Sequence, residues 1–238
     1  MNVMLGSGGF RTPQRIAFLV DLMKTHFAAA ERILFVPYAL ADHDGYVQTM
    51  IDRGINAERH LEGIHRAADP VDAVEEAQGI FIGGGNTFRL LADLYRYGLL
   101  DAIRRRVADG VPYLGVSAGS NVACPTIMTT NDMPITRPPS FDALGLVPFQ
   151  LNPHYVEGQM FVRTASGYEP HFGETRDDRI REFHEMNAAA VIGLWEAGVL
   201  LRNGKKLSLL GTPARIFRRG QLPRDVQPGE SLDELLES

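Results

Sequence analysis

The chain has 238 residues, of which 45% are hydrophobic and 22% charged, and its formal net charge is −5. This composition is ordinary for a soluble globular protein with a substantial core, and the mild negative charge argues against a nucleic-acid-binding surface. Cys124 is the only cysteine, which excludes an intrachain disulfide and a cysteine-based metal site. The N-terminus lacks a basic segment followed by a long apolar run, so we expect a cytoplasmic protein that contacts neither membrane nor nucleic acid.

Short apolar runs alternate with amphipathic segments over the first half of the chain. Strands are predicted at residues 3–5, 33–37, 57–64, 79–82 and 113–116. Helices are predicted to begin at Pro13, after Asp69 and after Asn86, with two more at 46–51 and 99–107. Strands that alternate with helices predict an α/β fold with a parallel sheet covered on both faces.

The pattern changes after about Asn121. Loops are predicted at 126–139 and 156–172, a helix at 177–186, and strands at 144–152, 191–195, 199–201, 207–210 and 215–218. Asn203-Gly204 predicts a hairpin turn, and a short helix is expected at 232–236. Because no linker or repeat divides the sequence, we expect one catalytic domain over residues 1–238.

Gly115 and Gly119 frame Ser117 in a G-x-S-x-G pattern, where a predicted strand runs into a helix-compatible segment. This pattern is typical of a nucleophile elbow, in which small neighbours permit a tight turn. The N–H groups at the start of the following helix would then face an oxyanion formed at the serine. Small-residue turns also occur in nucleotide-binding and purely structural βα units, so the motif alone leaves catalysis open.

A nucleophilic serine needs a base, usually a histidine steadied by a carboxylate. Of the seven histidines, position favours His154, because it follows a predicted strand and ligands gather at the carboxyl ends of parallel strands. His43 and His171 lie in predicted loops and remain alternatives. Position does not select the carboxylate, for which the candidates are Asp132, Asp142 and Glu196.

The run Gly83-Gly84-Gly85 precedes the helix that Asn86 is predicted to cap. Successive glycines before a helix leave N–H groups free to approach an anion, either an oxyanion in a hydrolase or a phosphate in a binding protein. The run lacks the phosphate-loop signature and the dinucleotide-binding spacing. A tight structural turn is the third interpretation.

Taken together, several blocks of the sequence resemble peptidase E, the α-aspartyl dipeptidases of serine peptidase family S51. The blocks are residues 82–88, 115–119, 124–127, 129–135, 152–154, 173–176, 179–183 and 191–196. They follow the family order over nearly the whole chain, and the stretch 131–135 (NDMPI) is distinctive. The resemblance implies a three-layer sandwich with a mostly parallel sheet, flavodoxin-like and similar to class I glutamine amidotransferases.

The resemblance also implies an activity: removal of an N-terminal aspartate from Asp-Xaa dipeptides through an acyl-enzyme, without a metal or other cofactor. Ser117 would be the nucleophile, His154 the base and Glu196 the third member, an order that differs from that of α/β-hydrolases. The implied oxyanion and substrate-binding residues are Gly84, Gly85, Asn86, Thr87, Ala118 and Arg176. Arg176 would hold the aspartyl carboxylate, since a guanidinium forks onto a carboxylate. Asp132 would either assist the triad or only order its loop.

The sequence departs from the family pattern at Ser120, at Trp195 and in a longer 156–172 loop. Ser120 stands in place of an alanine and Trp195 in place of a proline. Two other functions stay open: a cyanophycinase-like hydrolase of β-aspartyl-arginine, and a non-catalytic anion-binding protein that uses the 83–85 loop. The partner is expected to be a small peptide, and the chain either a monomer or a homodimer.

Overall fold

The computed structural model describes residues 1–237. In chain order, its strands are β1 (Asn2–Gly6), β2 (Arg32–Val36), β3 (His60–Gly63), β4 (Ile80–Ile82), β5 (Tyr113–Val116), β6 (Gln150–Pro153), β7 (Phe161–Thr164), β8 (Gly167–Pro170), β9 (Val191–Leu194), β10 (Val199–Asn203), β11 (Lys206–Leu210), β12 (Ala214–Phe217) and β13 (Arg224–Val226). The α-helices are α1 (Pro13–His26), α2 (His43–Asp52), α3 (Pro70–Glu75), α4 (Thr87–Arg96), α5 (Leu99–Ala108), α6 (Ala118–Asn121) and α7 (Arg176–Met186). Two short 3₁₀ helices cover Ile64–Arg66 and Asp233–Leu236.

A seven-stranded sheet in the order β11-β10-β1-β5-β4-β2-β3 forms the centre of the molecule. The five strands from β1 to β3 in this order pair in parallel, and β10 and β11 extend the sheet as an antiparallel hairpin. The hairpin turns at Gly204 and Lys205, one residue beyond the predicted Asn203-Gly204 pair, because Asn203 still pairs with Lys206. Since β1, β5 and β4 are neighbours, their carboxyl ends lie side by side.

Alternate residues of each strand enter the two apolar layers that sandwich the sheet. Phe81 packs with Leu19 and Met23 of α1 on one face, whereas Ile80 and Ile82 pack on the opposite face. Helices α3, α4 and α5 contribute to that opposite face, and α2 joins α1. The predicted α/β fold, with a mostly parallel sheet between two helical layers, is confirmed. Within residues 1–237, no helix is both long and apolar enough to cross a bilayer.

A second sheet, in the order β13-β12-β9-β6, packs beside the first. Its strands β6 and β9 run in parallel, with Asn152 opposite Gly193. Leu151 and Ile192 of these strands belong to the same apolar cluster as Ile80 and Ile82 of the central sheet. The two sheets therefore share one core.

The structure corrects three predicted boundaries. The strand predicted at 144–152 begins only at Gln150, because the backbone N–H groups of Leu144 and Leu146 bond to Val122 and Ala123. The strand predicted at 57–64 begins at His60, since the two residues at 57 and 58 have positive φ angles. The predicted 156–172 loop contains the hairpin β7–β8, whose exposed side chains give no periodic apolar signal.

Candidate active site

Ser117 stands on a sharp turn between β5 and α6. Its φ of +55° and ψ of −109° lie outside the regions that ordinary residues prefer, and its N–H donates to Gly6 O at 2.9 Å. A Cβ on Gly115 would come within 2.3 Å of Gly119 O, and a Cβ on Gly119 within 2.1 Å of Ile82 O. The G-x-S-x-G pattern therefore arises because the turn is wedged against neighbouring backbone. It presents the serine at the carboxyl edge of the central sheet.

Ser120 lies directly beneath this turn and is fully buried. Its Oγ is 2.8 Å from Gly6 O and 2.9 Å from Gly115 O. The Ser120 hydroxyl thus links the turn to β1 and β5, away from the Ser117 hydroxyl.

Ser117, His154 and Glu196 form one hydrogen-bonded chain. Ser117 Oγ is 2.9 Å from His154 Nε2, and His154 Nδ1 is 2.7 Å from Glu196 Oε1. With its Nδ1–H donated to the carboxylate, His154 has Nε2 free to accept the serine proton. This is the arrangement that activates a serine hydroxyl as a nucleophile.

The two sheets supply different members of this chain. Ser117 follows β5 of the central sheet, whereas His154 follows β6 and Glu196 lies just after β9 of the second sheet. Because β6 and β9 are parallel neighbours, their carboxyl ends bring the histidine and the glutamate together. The docking of one sheet against the other then sets the distance from His154 to Ser117.

Ser7 fixes this docking, although no motif of the sequence singles it out. Its fully buried hydroxyl donates to Leu194 O at 2.7 Å and accepts from the His154 N–H at 2.8 Å. The hydroxyl thereby ties the end of β1 to the ends of β6 and β9. The only sequence signal was its place in the Gly-Ser-Gly-Gly run after the first predicted strand.

The glycines that follow Ser7 pack directly against the base and the acid. A Cβ on Gly8 would lie 2.3 Å from His154 Cε1. A Cβ on Gly9, whose φ is +72°, would lie 1.6 Å from Glu196 Oε2. No side chain fits at either position, so the composition of this loop follows from its contact with the His154–Glu196 pair.

Backbone N–H groups are available beside Ser117. Within residues 1–237, no hydrogen bond uses the N–H of Gly85 or of Ala118. Gly84 lies against the serine, since a Cβ there would be 3.2 Å from Ser117 Cβ. Its backbone bonds the Tyr46 hydroxyl, whose pKa burial raises to about 12. Gly85 and Ala118 therefore carry the free donors that an oxyanion would require.

Asp132 contacts the start of α4. Its Oδ2 accepts from the Thr87 N–H at 2.7 Å, the Thr87 hydroxyl at 2.6 Å and the Thr130 hydroxyl at 3.2 Å. In the described part of the chain, no hydrogen bond joins Asp132 to His154. Asp132 therefore orders its loop. Thr87 is fully buried and bonded to Asp132, and its place beside a substrate stays a prediction.

Asn86 also has structural partners on both amide atoms. Its Oδ1 accepts from the Arg89 N–H at 3.0 Å, as predicted for a helix cap, and its Nδ2 donates to Met133 O at 2.9 Å. Two further amides lie next to it. Asn131 Nδ2 donates to Pro153 O at 2.7 Å, and Asn152 Nδ2 donates to Asn131 Oδ1 at 2.8 Å. These amides attach the 129–135 block to α4 and to the residue before His154.

Arg176 is the first residue of α7. It is half-buried, and its guanidinium makes no hydrogen bond or ion pair with the described residues. Burial, and then the nearby Arg179, lower the pKa of this group. A half-buried cation without a counter-ion gains from binding an anion, which fits the predicted carboxylate contact.

The first turn of α7 is attached to the residues beside the base and the acid. Asp177 accepts a hydrogen bond from the Tyr155 hydroxyl and lies 3.5 Å from the Arg215 guanidinium. Tyr155 packs edge-on against Trp195, with ring centroids 4.6 Å apart. This ring contact joins Tyr155, which follows His154, to Trp195, which precedes Glu196.

The other candidates lie apart from Ser117. His43 packs against the rings of Tyr38 and His65, and Asp142 accepts from the Ser140 hydroxyl at 2.9 Å. Burial raises the pKa of Cys124 to about 12, so it is a thiol at neutral pH. Among residues 1–237, no hydrogen bond or ion pair connects His43, His171 or Asp142 to the His154–Glu196 pair, and no group of His, Cys, Asp and Glu is placed to hold a metal.

Replacing Ser7 with alanine should lower the free energy of unfolding by about 1–3 kcal/mol. The substitution leaves the buried His154 N–H and Leu194 carbonyl without this partner. Urea unfolding would measure the change. Ser140→Ala is the matched control, because Ser140 bonds only within an exposed loop, and we expect it to change stability little. Equal stability of the two variants would contradict the role assigned to Ser7.

The contribution of Asp178, at the start of α7, to the stability of the protein should depend on pH. Hydrogen bonds from the Thr175 hydroxyl and N–H, and then from Arg181, lower the pKa of Asp178 to about 2. Because the folded-state pKa is depressed, the stabilisation is present above the unfolded value near 4 and is lost as pH falls towards 2. The stability difference between the wild type and Asp178→Asn, measured by urea unfolding, should shrink over this interval.

Glu182→Gln on the same helix is the control, since Glu182 makes no hydrogen bond or ion pair within residues 1–237, and we expect it to change stability little. A difference between wild type and Asp178→Asn that stays constant from pH 7 to about 2 would contradict this assignment.

The model of Peptidase family S51 matches residues 3–210. Peptidase E of Streptomyces coelicolor is 46% identical over 219 residues, which cover 92% of this chain and 87% of the relative. A protein of Drosophila melanogaster named probable alpha-aspartyl dipeptidase is 45% identical over 221 residues, covering 92% and 88%.

Two solved structures share the fold. A putative peptidase E protein from Listeria monocytogenes superposes with a TM-score of 0.64 at 22% identity, covering 88% of this chain and 97% of that one. A peptidase from an acI-B1 Actinobacterium gives a TM-score of 0.68 at 17% identity, covering 97% and 96%. The match of the family model over most of the sequence, together with relatives above 40% identity, shows that the chain belongs to peptidase family S51.

Proposed function

We propose that this protein is a serine dipeptidase that hydrolyses the peptide bond after an N-terminal aspartate. The observation that carries the proposal is the hydrogen-bonded chain from Ser117 through His154 to Glu196, with its contacts of 2.9 and 2.7 Å. The names of the relatives, peptidase E and probable alpha-aspartyl dipeptidase, support the substrate. The shared core of the two sheets supports one catalytic domain.

Acylation begins when His154 Nε2 takes the proton of Ser117 Oγ. The oxygen attacks the aspartyl carbonyl carbon, and the carbonyl oxygen becomes an oxyanion. The free N–H groups of Gly85 and Ala118 hold that oxyanion. Glu196 steadies the imidazolium through Nδ1 and keeps the ring in its productive orientation.

His154 then donates its proton to the leaving amine, and the peptide bond breaks. The aspartyl group remains on Ser117 as an ester. Water takes the place of the departed amine beside His154, gives its proton to His154 and attacks the ester carbonyl. Collapse of the second oxyanion releases aspartate and restores the serine hydroxyl.

Recognition of the aspartyl side chain is assigned to Arg176. Its half-buried guanidinium lacks a counter-ion among residues 1–237, and the Tyr155–Asp177 contact ties its helix to the strand end that carries His154. A carboxylate on the substrate supplies the missing charge. Such a contact would favour aspartate over neutral residues at this position.

Replacing Ser117 with alanine should reduce kcat for Asp-Leu by at least about 10³-fold, since no other group supplies the nucleophile. Ser166→Ala, on the exposed β7–β8 hairpin, is the matched control and should keep wild-type activity. Hydrolysis is followed by release of free leucine. Activity retained in Ser117→Ala would overturn the mechanism.

Replacing Arg176 with methionine should raise KM for Asp-Leu by about 10- to 100-fold, the loss expected for a charge-assisted hydrogen bond. Arg176→Lys should recover part of the loss, because it restores the charge without the fork. Arg179→Met is the control on the same helix, since Arg179 already lies 3.5 Å from Glu174. An unchanged ratio of Asp-Leu to Ala-Leu hydrolysis in Arg176→Met would contradict this assignment.

The substrate series separates this function from the two other readings. A preference for Asp-Leu over Glu-Leu and Ala-Leu supports the proposal. Cleavage of β-aspartyl-arginine in place of Asp-Leu would identify a cyanophycinase-like hydrolase. Binding of carboxylates or phosphate without any hydrolysis would identify an anion-binding protein.

A further inference from the structure

A cavity of about 300 Å³ opens beside Ser117 and His154. It extends between the loop that follows β1 and the helices α1 and α2. Its buried apolar lining comprises Phe10, Leu19, Met50, Ile55 and Phe81. The lining at its mouth includes Leu40 and Arg11, both exposed to solvent. The cavity therefore joins the reacting serine to an apolar interior.

The charged side chains that line this cavity are all positive. Arg11 and Arg53 belong to its lining, and no aspartate or glutamate does. Arg53 donates to Phe10 O and makes no ion pair with the described residues. Arg11 makes neither a hydrogen bond nor an ion pair through its guanidinium within residues 1–237. The cavity thus combines an apolar floor with positive charge that has no counter-ion.

We propose that this cavity binds the leaving residue of the dipeptide, with its apolar side chain on the floor and its free carboxylate at Arg11. The proposal rests on the proposed function and names a substrate class for it: aspartyl dipeptides whose second residue is large and apolar. An amino acid of this kind presents one apolar group and one carboxylate, which match the two features of the cavity.

The position of His154 assigns the cavity to the leaving residue. His154 must donate its proton to the leaving amine, and it lines the cavity together with Ser117. The amine belongs to the second residue of the dipeptide. This residue therefore extends from Ser117 into the cavity. The aspartyl side chain suits the floor poorly, because burying a carboxylate against Leu19, Ile55 and Phe81 costs solvation that those side chains cannot replace.

Pairing at Arg11 would also restrict the length of the substrate. In a dipeptide, the carboxylate of the second residue is free and can accept from the guanidinium. In a longer peptide, a neutral amide takes its place. Arg11 would then be a specificity-determining residue that selects substrates ending at the second position.

The first test compares Asp-Leu with Asp-leucinamide, which lacks the carboxylate. Arg11→Met should lower kcat/KM for Asp-Leu by about three- to tenfold, as expected for one exposed ion pair, and leave Asp-leucinamide almost unchanged. Arg11→Lys should recover part of the loss. Arg105→Met is the control, because Arg105 is a surface residue of α5 that pairs with Glu75.

The second test uses the side chain of the leaving residue. In the wild type, kcat/KM should rise from Asp-Gly through Asp-Ala to Asp-Leu and Asp-Phe, by about fourfold for each methylene buried on the floor. A flat series would overturn the apolar subsite. An equal loss with Asp-Leu and Asp-leucinamide in Arg11→Met would overturn the carboxylate contact. A loss of the preference for Asp-Leu over Ala-Leu in that variant would place the aspartyl residue in the cavity instead.

Binding separates failure of this subsite from failure of the proposed function. The wild type should bind L-leucine more tightly than L-leucinamide in an NMR titration, and Arg11→Met should remove the difference. If that result holds while no aspartyl dipeptide is cleaved, the proposed function fails and the subsite stands. Equal binding of L-leucine and L-leucinamide by the wild type would overturn the subsite whatever the hydrolysis assays show.

Discussion

The docking of two β-sheets against each other is the constraint on which the site depends. The central sheet supplies Ser117, and the smaller sheet supplies His154 and Glu196. The buried hydroxyl of Ser7 joins the strand ends by one donated and one accepted hydrogen bond. A shift of one sheet by an ångström would break the Ser117–His154 contact, since hydrogen bonds weaken steeply with distance. A shared apolar core resists such a shift because close-packed interiors yield little.

Backbone strain is concentrated where the two sheets meet. Ser117, His154 and Ala197 all have positive φ angles, which cost energy for residues with a Cβ. Ala197 N–H donates to Gly8 O at 2.8 Å, so the strained turn after Glu196 is tied to the loop after β1. Gly8 and Gly9 leave the space into which the imidazole and the carboxylate fit. Packing and hydrogen bonds at this junction hold side chains in orientations that relaxed strand ends would not provide.

Most of the fold followed from local sequence patterns. Alternating strands and helices gave the layered architecture, and the Asn86 cap lies where local chemistry predicted it. The turn of the β10–β11 hairpin lies at Gly204 and Lys205, one residue beyond the predicted pair. The errors occurred where tertiary contacts compete with local preference. The apolar run before Gln150 reads as a strand, but its N–H groups bond to the chain after α6. The exposed β7–β8 hairpin buries neither face, so its sequence lacks the alternation of apolar and polar residues that marks a strand.

The sequence by itself determined the family, the G-x-S-x-G turn at Ser117 and the strand end that carries His154, because these features depend on local spacing or on resemblance. It could not choose among Asp132, Asp142 and Glu196 by position, and it overlooked Ser7 and the Gly8-Gly9 loop. The resemblance pointed to Glu196, and the tertiary structure supplied the physical distinction: Glu196 lies 2.7 Å from His154, whereas Asp132 bonds to Thr87 and orders a loop. The reason is physical: a carboxylate acquires its role from the distances to its neighbours, and those distances arise only when the two sheets pack together.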